Sequence, residues 1–345
     1  MALHHFPRIV TDNLVLCLDA GNPLSYPVGP ELWDGTVSPT ILNFGGTTGY
    51  YDIATKTMHS PTSAAYVDRP RFTFNLGLTA GKLYSIVGML SGDLDDLTTG
   101  GRVNPNITLN TATGEINTTF TAVNESIWFV FNANFSPSSV TIESLSVREV
   151  TSVWKDLSGN GNHGTLVNGV AYNSANKGSL IFDGSNDFIS ISSSPSITTT
   201  TPTIIVGCTI AGGTVLAKGR YGNYWNYGML SLSTTGLSAR NNNCDTSSGS
   251  VFSTKTGYAI FTARYNGSGI DFYRNGIYGS TITGGCYSPA ASNSLFLTIG
   301  CAQDTNGNGA EFYSGSISFI QIYNRSLTPQ EIQNNYLATK GRYGL

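Results

Sequence analysis

The carboxylates limit the chemistry that this sequence can perform. From residue 151 to the C-terminus the chain contains two glutamates, Glu311 and Glu331. Hydrolysis of a glycosidic bond by the usual mechanisms needs a pair of carboxyl groups at a defined separation. The Thr328-Pro329-Gln330-Glu331 stretch is typical of a helix N-terminus, which leaves Glu311 alone. No nucleophile elbow and no phosphate-binding glycine pattern occurs either, so we expect a protein without enzymatic activity.

A second candidate is a stretch rich in aromatic residues between Lys218 and Tyr227, which reads as a loop. Aromatic faces pack against the apolar face of a sugar ring, while nearby polar groups bind its hydroxyls. The sequence therefore predicts a glycan-binding site formed by Arg220, Tyr221, Tyr224, Trp225 and Tyr227. The alternative is that this cluster is the edge of a core or a contact with another protein.

A third candidate is the stretch from Asp304 to Gly309, D-T-N-G-N-G. It matches the first half of a calcium-binding loop, with Asp304, Asn306 and Asn308 as oxygen ligands. The acidic residue at the twelfth position is missing, because Gly315 stands there. A Ca²⁺ ion completed by ligands from other loops and a plain Asn/Gly turn are both open; no other cofactor is predicted.

Composition excludes several classes of protein. Charged residues make up 11% of the 345 residues and the formal net charge is −3, without a basic stripe, which argues against nucleic acid as a partner. No apolar run is long enough for membrane insertion, and the N-terminus lacks the apolar segment of a signal peptide. Five cysteines at wide spacing favour reduced thiols in a protein made in the cytoplasm.

Short strands separated by Gly/Asn turns predict an all-β protein. Asn13 to Leu18 and Ile204 to Ile210 read as buried strands, and Asn275-Gly276 lies between two alternating runs, which is typical of a type I′ hairpin. A helix is predicted only near the C-terminus, where Leu327 can pack against Ile332.

Three motifs in order resemble LamG-like domains, which have the concanavalin A-like lectin/glucanase jelly roll. They are W-x-D-x-S-G-N-G-N followed by F-D-G-x-x-D-F (Trp154 to Phe188), the Tyr-x-Asn-Gly hairpin, and the closing stretch Phe312 to Ile332. More narrowly, they resemble the version found in structural proteins of tailed bacteriophages. The resemblance implies a β-sandwich jelly roll in which loops at the rim can hold calcium.

About 120 residues separate the strand LVLCLDAGNPLSYP from the W-x-D motif, whereas in the similar phage proteins the two are nearly adjacent. We therefore expect a discontinuous LamG-like domain (residues 1–29 and 151–345) with a second β-sandwich inserted into it (residues 30–150). The alternating segments of the insert, such as Val140 to Val147, weakly resemble carbohydrate-binding-module or galactose-binding-like jelly rolls.

These features predict a non-enzymatic structural protein of a tailed phage virion, displayed on the particle surface as a capsid decoration, fibre or tail component for host attachment. Its expected partners are other virion proteins, host surface polysaccharide and further copies of itself in a homo-oligomer. The alternatives are a free lectin-like adhesin and, less favoured, a glycoside hydrolase.

Overall fold

The computed structural model describes residues 8–43, 48–61, 70–99, 109–131, 137–209, 212–220, 224–233, 236–241, 244–247, 257–283, 295–303 and 309–345. It divides into two compact units. The larger unit comprises residues 1–27, 152–170 and 174–345, and the smaller one residues 28–151 and 171–173. The short strand Ala171–Asn173 groups with the smaller unit, where the backbone N–H of Tyr172 donates to Ser85 Oγ at 2.7 Å. Within the described ranges no helix is long and apolar enough to cross a membrane.

One sheet of the larger unit, here called sheet I, is antiparallel. Its strands in spatial order are Ser179–Asp183, Ser314–Tyr323, Thr203–Thr209, Tyr258–Tyr265, Ile270–Arg274 and Ile277–Ile282, with Leu14–Asp19 paired beside Ser314–Tyr323. Leu16, Ile322 and Ile204 are paired across three of these strands and are fully buried. Because side chains alternate along a strand, this row defines the face of sheet I that is turned to the core.

The C-terminal helix Pro329–Thr339 packs on residues of the other face of sheet I. The predicted capping box is confirmed: Glu331 N donates to Thr328 Oγ1, and Thr328 N donates to the Glu331 carboxylate. The predicted contact between Leu327 and Ile332 is confirmed as well, since both belong to one buried cluster. This cluster contains Ile205, Ile260, Tyr273, Phe319, Tyr323, Leu327, Ile332 and Tyr343. Short 3₁₀ helices lie at Ala175–Lys177, Pro195–Ile197 and Lys340–Arg342.

The second sheet of the larger unit, sheet II, contains the strands that carry the candidate site. In spatial order these are Val153–Trp154, Gly164–Val167, Phe188–Ile191, Leu297–Ile299, Thr214–Arg220, Tyr224–Ser233, Gly236–Asn241 and Cys244–Ser247. Two short strands, Ala302–Gln303 and Gly309–Ala310, join it beside Thr214–Arg220. Ile189, Ile299 and Leu216 are paired in one row and are fully buried, so they mark the inner face.

The smaller unit consists of two antiparallel sheets. Sheet III contains Thr40–Leu42, Arg71–Asn75, Ser126–Phe131 and Leu97–Thr99. Sheet IV contains Tyr50–Asp52, Thr57–Ser60, Ser138–Glu149, Leu83–Gly92, Glu115–Thr121 and Leu109–Asn110. The 3₁₀ helix Leu94–Asp96 follows the strand Leu83–Gly92. A cluster that includes Phe72, Phe74, Phe129 and Phe131 forms the core. The all-β prediction is therefore confirmed in both units.

Local turn chemistry follows the sequence at the Asn275-Gly276 hairpin. Asn275 and Gly276 have φ angles of 52° and 73°, as a type I′ turn requires. The side-chain carbonyl of Asn275 accepts a hydrogen bond from Ile260 N at 2.9 Å.

The cysteines whose side chains are described are Cys17, Cys208 and Cys301. All three are buried free thiols. Burial raises the pKa of each to about 12, so they behave as small apolar side chains.

Candidate functional site

The segment predicted as an aromatic loop is in fact the end of a β-hairpin. Thr214–Arg220 and Tyr224–Ser233 are antiparallel, with Arg220 opposite Tyr224 and Gly219 opposite Trp225. The loop prediction was therefore wrong for residues 218–220 and 224–227, while residues 221–223 lie outside the described part of the structure. Tyr and Trp favour strands, and the glycine and asparagine residues between them hide the alternation in the sequence.

Four of the five predicted glycan-binding residues lie in these two strands. Lys218 is opposite Tyr227, and the register shifts between Lys218 and Gly219, so a bulge lies within the hairpin. The side chains of Arg220, Tyr224, Trp225 and Tyr227 are outside the described part of the structure, as is the whole of Tyr221. The backbone thus places Arg220, Tyr224, Trp225 and Tyr227 together at one end of sheet II.

The backbone also brings the two short strands that flank the predicted calcium loop to this end of the sheet. Arg220 pairs with Gln303 in a parallel bridge, and Gln303 pairs with Gly309 across a short hairpin. The segment that connects Gln303 to Gly309 contains Asp304, Asn306 and Asn308, which lie outside the described residues. Arg220, in the aromatic hairpin, is therefore next to Gln303, which directly precedes Asp304, although Arg220 and Gln303 are 83 residues apart in sequence. Among the residues described, no group of three or more His, Cys, Asp or Glu side chains could hold a metal ion.

A buried lysine anchors this end of the sheet. Lys218 is fully buried, and its Nζ donates to Ser193 Oγ at 2.9 Å and to the backbone carbonyl of Leu295. Removal from water lowers the pKa of Lys218 to about 8. Sequence reasoning missed this residue. The available signal was its position two residues after Leu216, which puts a cation on the buried face of the strand.

The Ser158–Gly164 turn forms a network of hydrogen bonds around Asp156. One carboxylate oxygen of Asp156 accepts from Cys17 N and Ser158 N, both at 2.9 Å, and the other accepts from Asn162 N at 3.0 Å. His163 Nδ1 accepts from Asp156 N at 3.0 Å. His163 therefore supports the turn, and Asp156 ties the turn to the N-terminal strand.

Asn162 extends this network to a third segment. Its Nδ2 donates to Val15 O at 2.7 Å and to Ser196 Oγ at 2.9 Å, while its Oδ1 accepts from Ser194 Oγ at 2.6 Å. Asn162 is 4% exposed, so its amide is almost completely desolvated and yet fully hydrogen-bonded.

The two aspartates of the F-D-G-x-x-D-F turn bind backbone amides. Asp183 Oδ1 accepts from Ser185 N at 2.7 Å and from Asn186 N at 3.3 Å, so this side chain caps its own turn. Asp187 accepts from Gly169 N at 2.7 Å and from Asp183 N at 3.2 Å. Burial, followed by the negative charge of Asp183, raises the pKa of Asp187 to about 6.

The remaining described carboxylates after residue 151 also have partners. Asp271 accepts from Arg264 Nε at 2.8 Å, and Glu311 accepts from Thr214 Oγ1 at 2.9 Å. Glu331 binds Arg325 through both oxygens at 2.9 and 2.7 Å. Hydrogen bonding to Arg325 lowers the pKa of Glu331 to about 2.

A family model matches the part of the chain that contains this site. It is the Laminin_G_3 model, described as the Concanavalin A-like lectin/glucanases superfamily, and it matches residues 198–333. The match covers most of sheets I and II and begins after the Trp154 motif.

Solved structures show similar β-folds at low identity. Domain 4 of AbnA, a GH43 extracellular arabinanase from Geobacillus stearothermophilus, in complex with arabinotriose, is 16% identical with a TM-score of 0.42, over 53% of this chain and 92% of that one. The binding domain of Paraclostridial Mosquitocidal Protein 1 is 16% identical with a TM-score of 0.40, over 53% and 48% of the two chains. Trypanosoma rangeli sialidase in complex with sialic acid is 12% identical with a TM-score of 0.41, over 88% and 54%.

The chain thus spans about half the length of the last two structures. TM-scores of this size carry no argument about activity. A comparison with curated proteins gives no match.

Proposed function

We propose that the protein binds glycans at the hairpin end of sheet II, without hydrolysing them. The observation that supports the proposal is the Arg220–Gln303 bridge, which joins the aromatic hairpin to the strand directly before the Asp/Asn-rich segment. Sugar recognition requires such a combination, because a pyranose has an apolar C–H face and a rim of hydroxyls.

The carboxylates support binding without hydrolysis. A glycosidase needs one carboxyl group to protonate the leaving oxygen and a second to act as nucleophile or base. In the described part of the larger unit after residue 151, Asp156, Asp183 and Asp187 accept from backbone amides, and Asp271 and Glu331 bind arginines. Glu311, the remaining described carboxylate, accepts a hydrogen bond from Thr214 Oγ1.

We further propose that Ca²⁺ binds to the Asp304 segment through Asp304, Asn306 and Asn308. Oxygen ligands from short Asp/Asn-rich turns suit this ion, and neighbouring backbone carbonyls or a sugar hydroxyl can complete its coordination. Thermal unfolding with and without saturating Ca²⁺, against a chelated control, tests this. The stabilisation is about 2.7 kcal/mol when the free ion is at 100 times its dissociation constant, and the same midpoint in both samples would exclude the site.

We place this binding activity on the surface of a tailed phage particle, as part of a capsid decoration, fibre or tail protein that contacts other virion proteins. The support is the resemblance of the Trp154 to Phe188 and Phe312 to Ile332 motifs to those of phage structural proteins. In that setting the ligand is host surface polysaccharide, and assembly into a homo-oligomer would multiply a weak affinity.

A glycan array with the full chain tests the binding proposal. Trp225→Ala should abolish a signal that the wild type gives, because stacking on an aromatic ring dominates such sites. The matched control is Tyr278→Ala, which removes an exposed aromatic residue (53% exposed) from a strand of sheet I. Equal signals from wild type and Trp225→Ala would contradict the proposal. Release of reducing sugar would contradict its non-enzymatic part.

Immunogold labelling of purified phage particles with an antibody to this chain tests the virion proposal. Label on heads indicates a decoration protein, and label on tails or fibre tips indicates host attachment. Unlabelled particles would overturn the virion role and leave a free lectin-like adhesin.

A further inference from the structure

A group of neighbouring polar and aromatic side chains lies in the smaller unit, on sheet III. Along Arg71–Asn75 the side chains alternate, and Phe72 and Phe74 are fully buried in the core of this unit. Arg71 and Thr73 therefore lie on the opposite face. Trp128 is paired directly with Thr73, so it lies on this face too. We call Arg71, Thr73 and Trp128 the outer-face cluster.

The outer-face cluster contains three buried polar atoms without a hydrogen-bond partner. They are Arg71 Nε, Thr73 Oγ1 and Trp128 Nε1. Trp128 is 8% exposed, which is unusual for a residue on the face of a sheet turned away from its own core. A buried donor without a partner costs free energy, and native proteins tolerate few of them. Three on neighbouring residues of one face indicate groups that are kept ready for a ligand.

Arg71 covers the indole of Trp128. Its guanidinium carbon lies 5.9 Å from the centre of the ring, in the range of a cation–π contact. Among the described residues the structure shows no ion pair for Arg71, although five other arginine or lysine side chains form one. A guanidinium that is not fixed by an ion pair can move aside at modest cost and expose the face of the indole.

The chemistry of the cluster selects the ligand. The indole and guanidinium N–H groups only donate, and the threonine hydroxyl donates and accepts. The partner must therefore present several acceptor oxygens next to an apolar face, with a negative charge that matches Arg71. A saccharide that carries a carboxylate meets all three conditions.

We propose that the outer-face cluster binds an acidic sugar residue of a polysaccharide, with the ring stacked on Trp128 and the carboxylate held by Arg71. Thr73 and the indole N–H bind ring and hydroxyl oxygens. This site is separate from the hairpin end of sheet II and does not rest on the proposal for that site.

An isolated unpaired indole does not by itself indicate a site, as another tryptophan of the chain illustrates. Trp154 also has an Nε1 without a partner, but its side chain is fully buried. Among the described residues, Trp154 has no cation–π contact, and no second unpaired polar atom lies at an adjacent strand position.

Isothermal titration of the full chain with oligogalacturonides, and with galactose oligosaccharides of the same length as the neutral probe, tests the proposal. The key variant is Trp128→Phe, which keeps an aromatic ring and removes the unpaired N–H. We expect its affinity for the acidic probe to fall roughly fivefold, the usual effect of one hydrogen bond. Arg71→Gln should reduce affinity for the acidic probe by roughly tenfold or more and affect the neutral probe less.

Trp225→Ala separates the two proposed sites, and Tyr278→Phe is the control for an unrelated aromatic change. Binding of the acidic probe that survives Trp225→Ala but is weakened by Trp128→Phe supports the sheet III site, whatever the fate of the hairpin site. The sheet III proposal is overturned if oligogalacturonides show no saturable binding, or if Trp128→Phe and Arg71→Gln bind them as the wild type does. A lowered melting temperature of Trp128→Phe with unchanged affinity would assign Trp128 to packing alone.

Discussion

The turn around Asp156 and the outer face of sheet III both contain buried polar groups, but they treat them in opposite ways. Asp156 and Asn162 have hydrogen-bond partners for their side-chain oxygens and amide, drawn from segments more than 130 residues apart in sequence. Trp128 and Thr73 lie side by side with unpaired polar atoms. A satisfied polar network stabilises the fold, whereas an unsatisfied one lowers stability and is retained where a ligand completes it. If the sheet III proposal holds, the first region is structural and the second binds a ligand.

The largest expected effect is the loss of the Asp156 network. Asp156→Ala leaves the amides of Cys17, Ser158 and Asn162 without their acceptor, so we expect the free energy of unfolding to fall by about 3 kcal/mol. Urea denaturation measures this. Asp156→Asn keeps one acceptor oxygen and should cost less; equal stability of Asp156→Ala and the wild type would remove the distinction drawn between the two regions.

The next largest effect is the pH dependence that Asp187 gives to the free energy of unfolding. Its folded pKa of about 6 lies above its ordinary value of 3.8, so the folded state holds the proton more tightly than the unfolded state does. Protonated Asp187 therefore adds to the free energy of unfolding. This stabilisation is complete below about pH 4 and is lost as the pH rises through 6. It amounts to about 2 kcal/mol.

Denaturation at pH 4 and pH 7 tests this for the wild type and for Asp187→Asn, which cannot titrate. We subtract the free energy of unfolding at pH 7 from that at pH 4 for each protein. This difference should be about 2 kcal/mol larger for the wild type than for Asp187→Asn. The same pH dependence in both proteins would show that Asp187 is ionised throughout.

Glu331 should give the stability a pH dependence that is opposite in sign to that of Asp187 and smaller. Its pKa is lowered to about 2 by Arg325, so its stabilisation is present above pH 4.5 and is lost as the pH falls towards 2. Glu331→Gln should cost about 1 kcal/mol at pH 7, the range of a helix cap with a partly exposed ion pair. Thermal unfolding at pH 7 and pH 3 measures it; the cost should shrink at pH 3, and a constant cost would point to the uncharged part of the cap.

The smallest effect is expected where polar atoms are unpaired. Thr73→Val removes a hydroxyl that has no hydrogen-bond partner and keeps the shape of the side chain, so the free energy of unfolding should change by less than about 0.5 kcal/mol. The matched control is Thr328→Val, which removes the hydroxyl that caps the helix and should cost about 1 kcal/mol. If Thr73→Val were as costly as Thr328→Val, the outer-face hydroxyl would be part of a structural network.

Local sequence patterns predicted the elements whose causes are local. The Asn275-Gly276 turn, the capping box at Thr328 and the turn at Asp183 each depend on residues within a few positions of one another, and each is present. Alternation predicted strands in both units, and the order of the motifs predicted the concanavalin A-like fold.

The candidate site could be predicted only in part. The residue types of the aromatic stretch indicated its chemistry, but its form as a hairpin was missed. The adjacency of Arg220 and Gln303 depends on the pairing of strands that are distant in sequence, and no local pattern encodes such a register. Whether Ca²⁺ binds at Asp304 stays a prediction.

By itself, the sequence of this protein determined the alternating strands, the start of the C-terminal helix and the turn at Asn275-Gly276, because backbone propensity and capping act over a few residues. Only the tertiary structure decided that Lys218 is buried with two oxygen partners, and that Trp128 and Thr73 lie together without partners. The physical reason is that burial and hydrogen-bond satisfaction depend on what the opposite strand and the neighbouring loop supply.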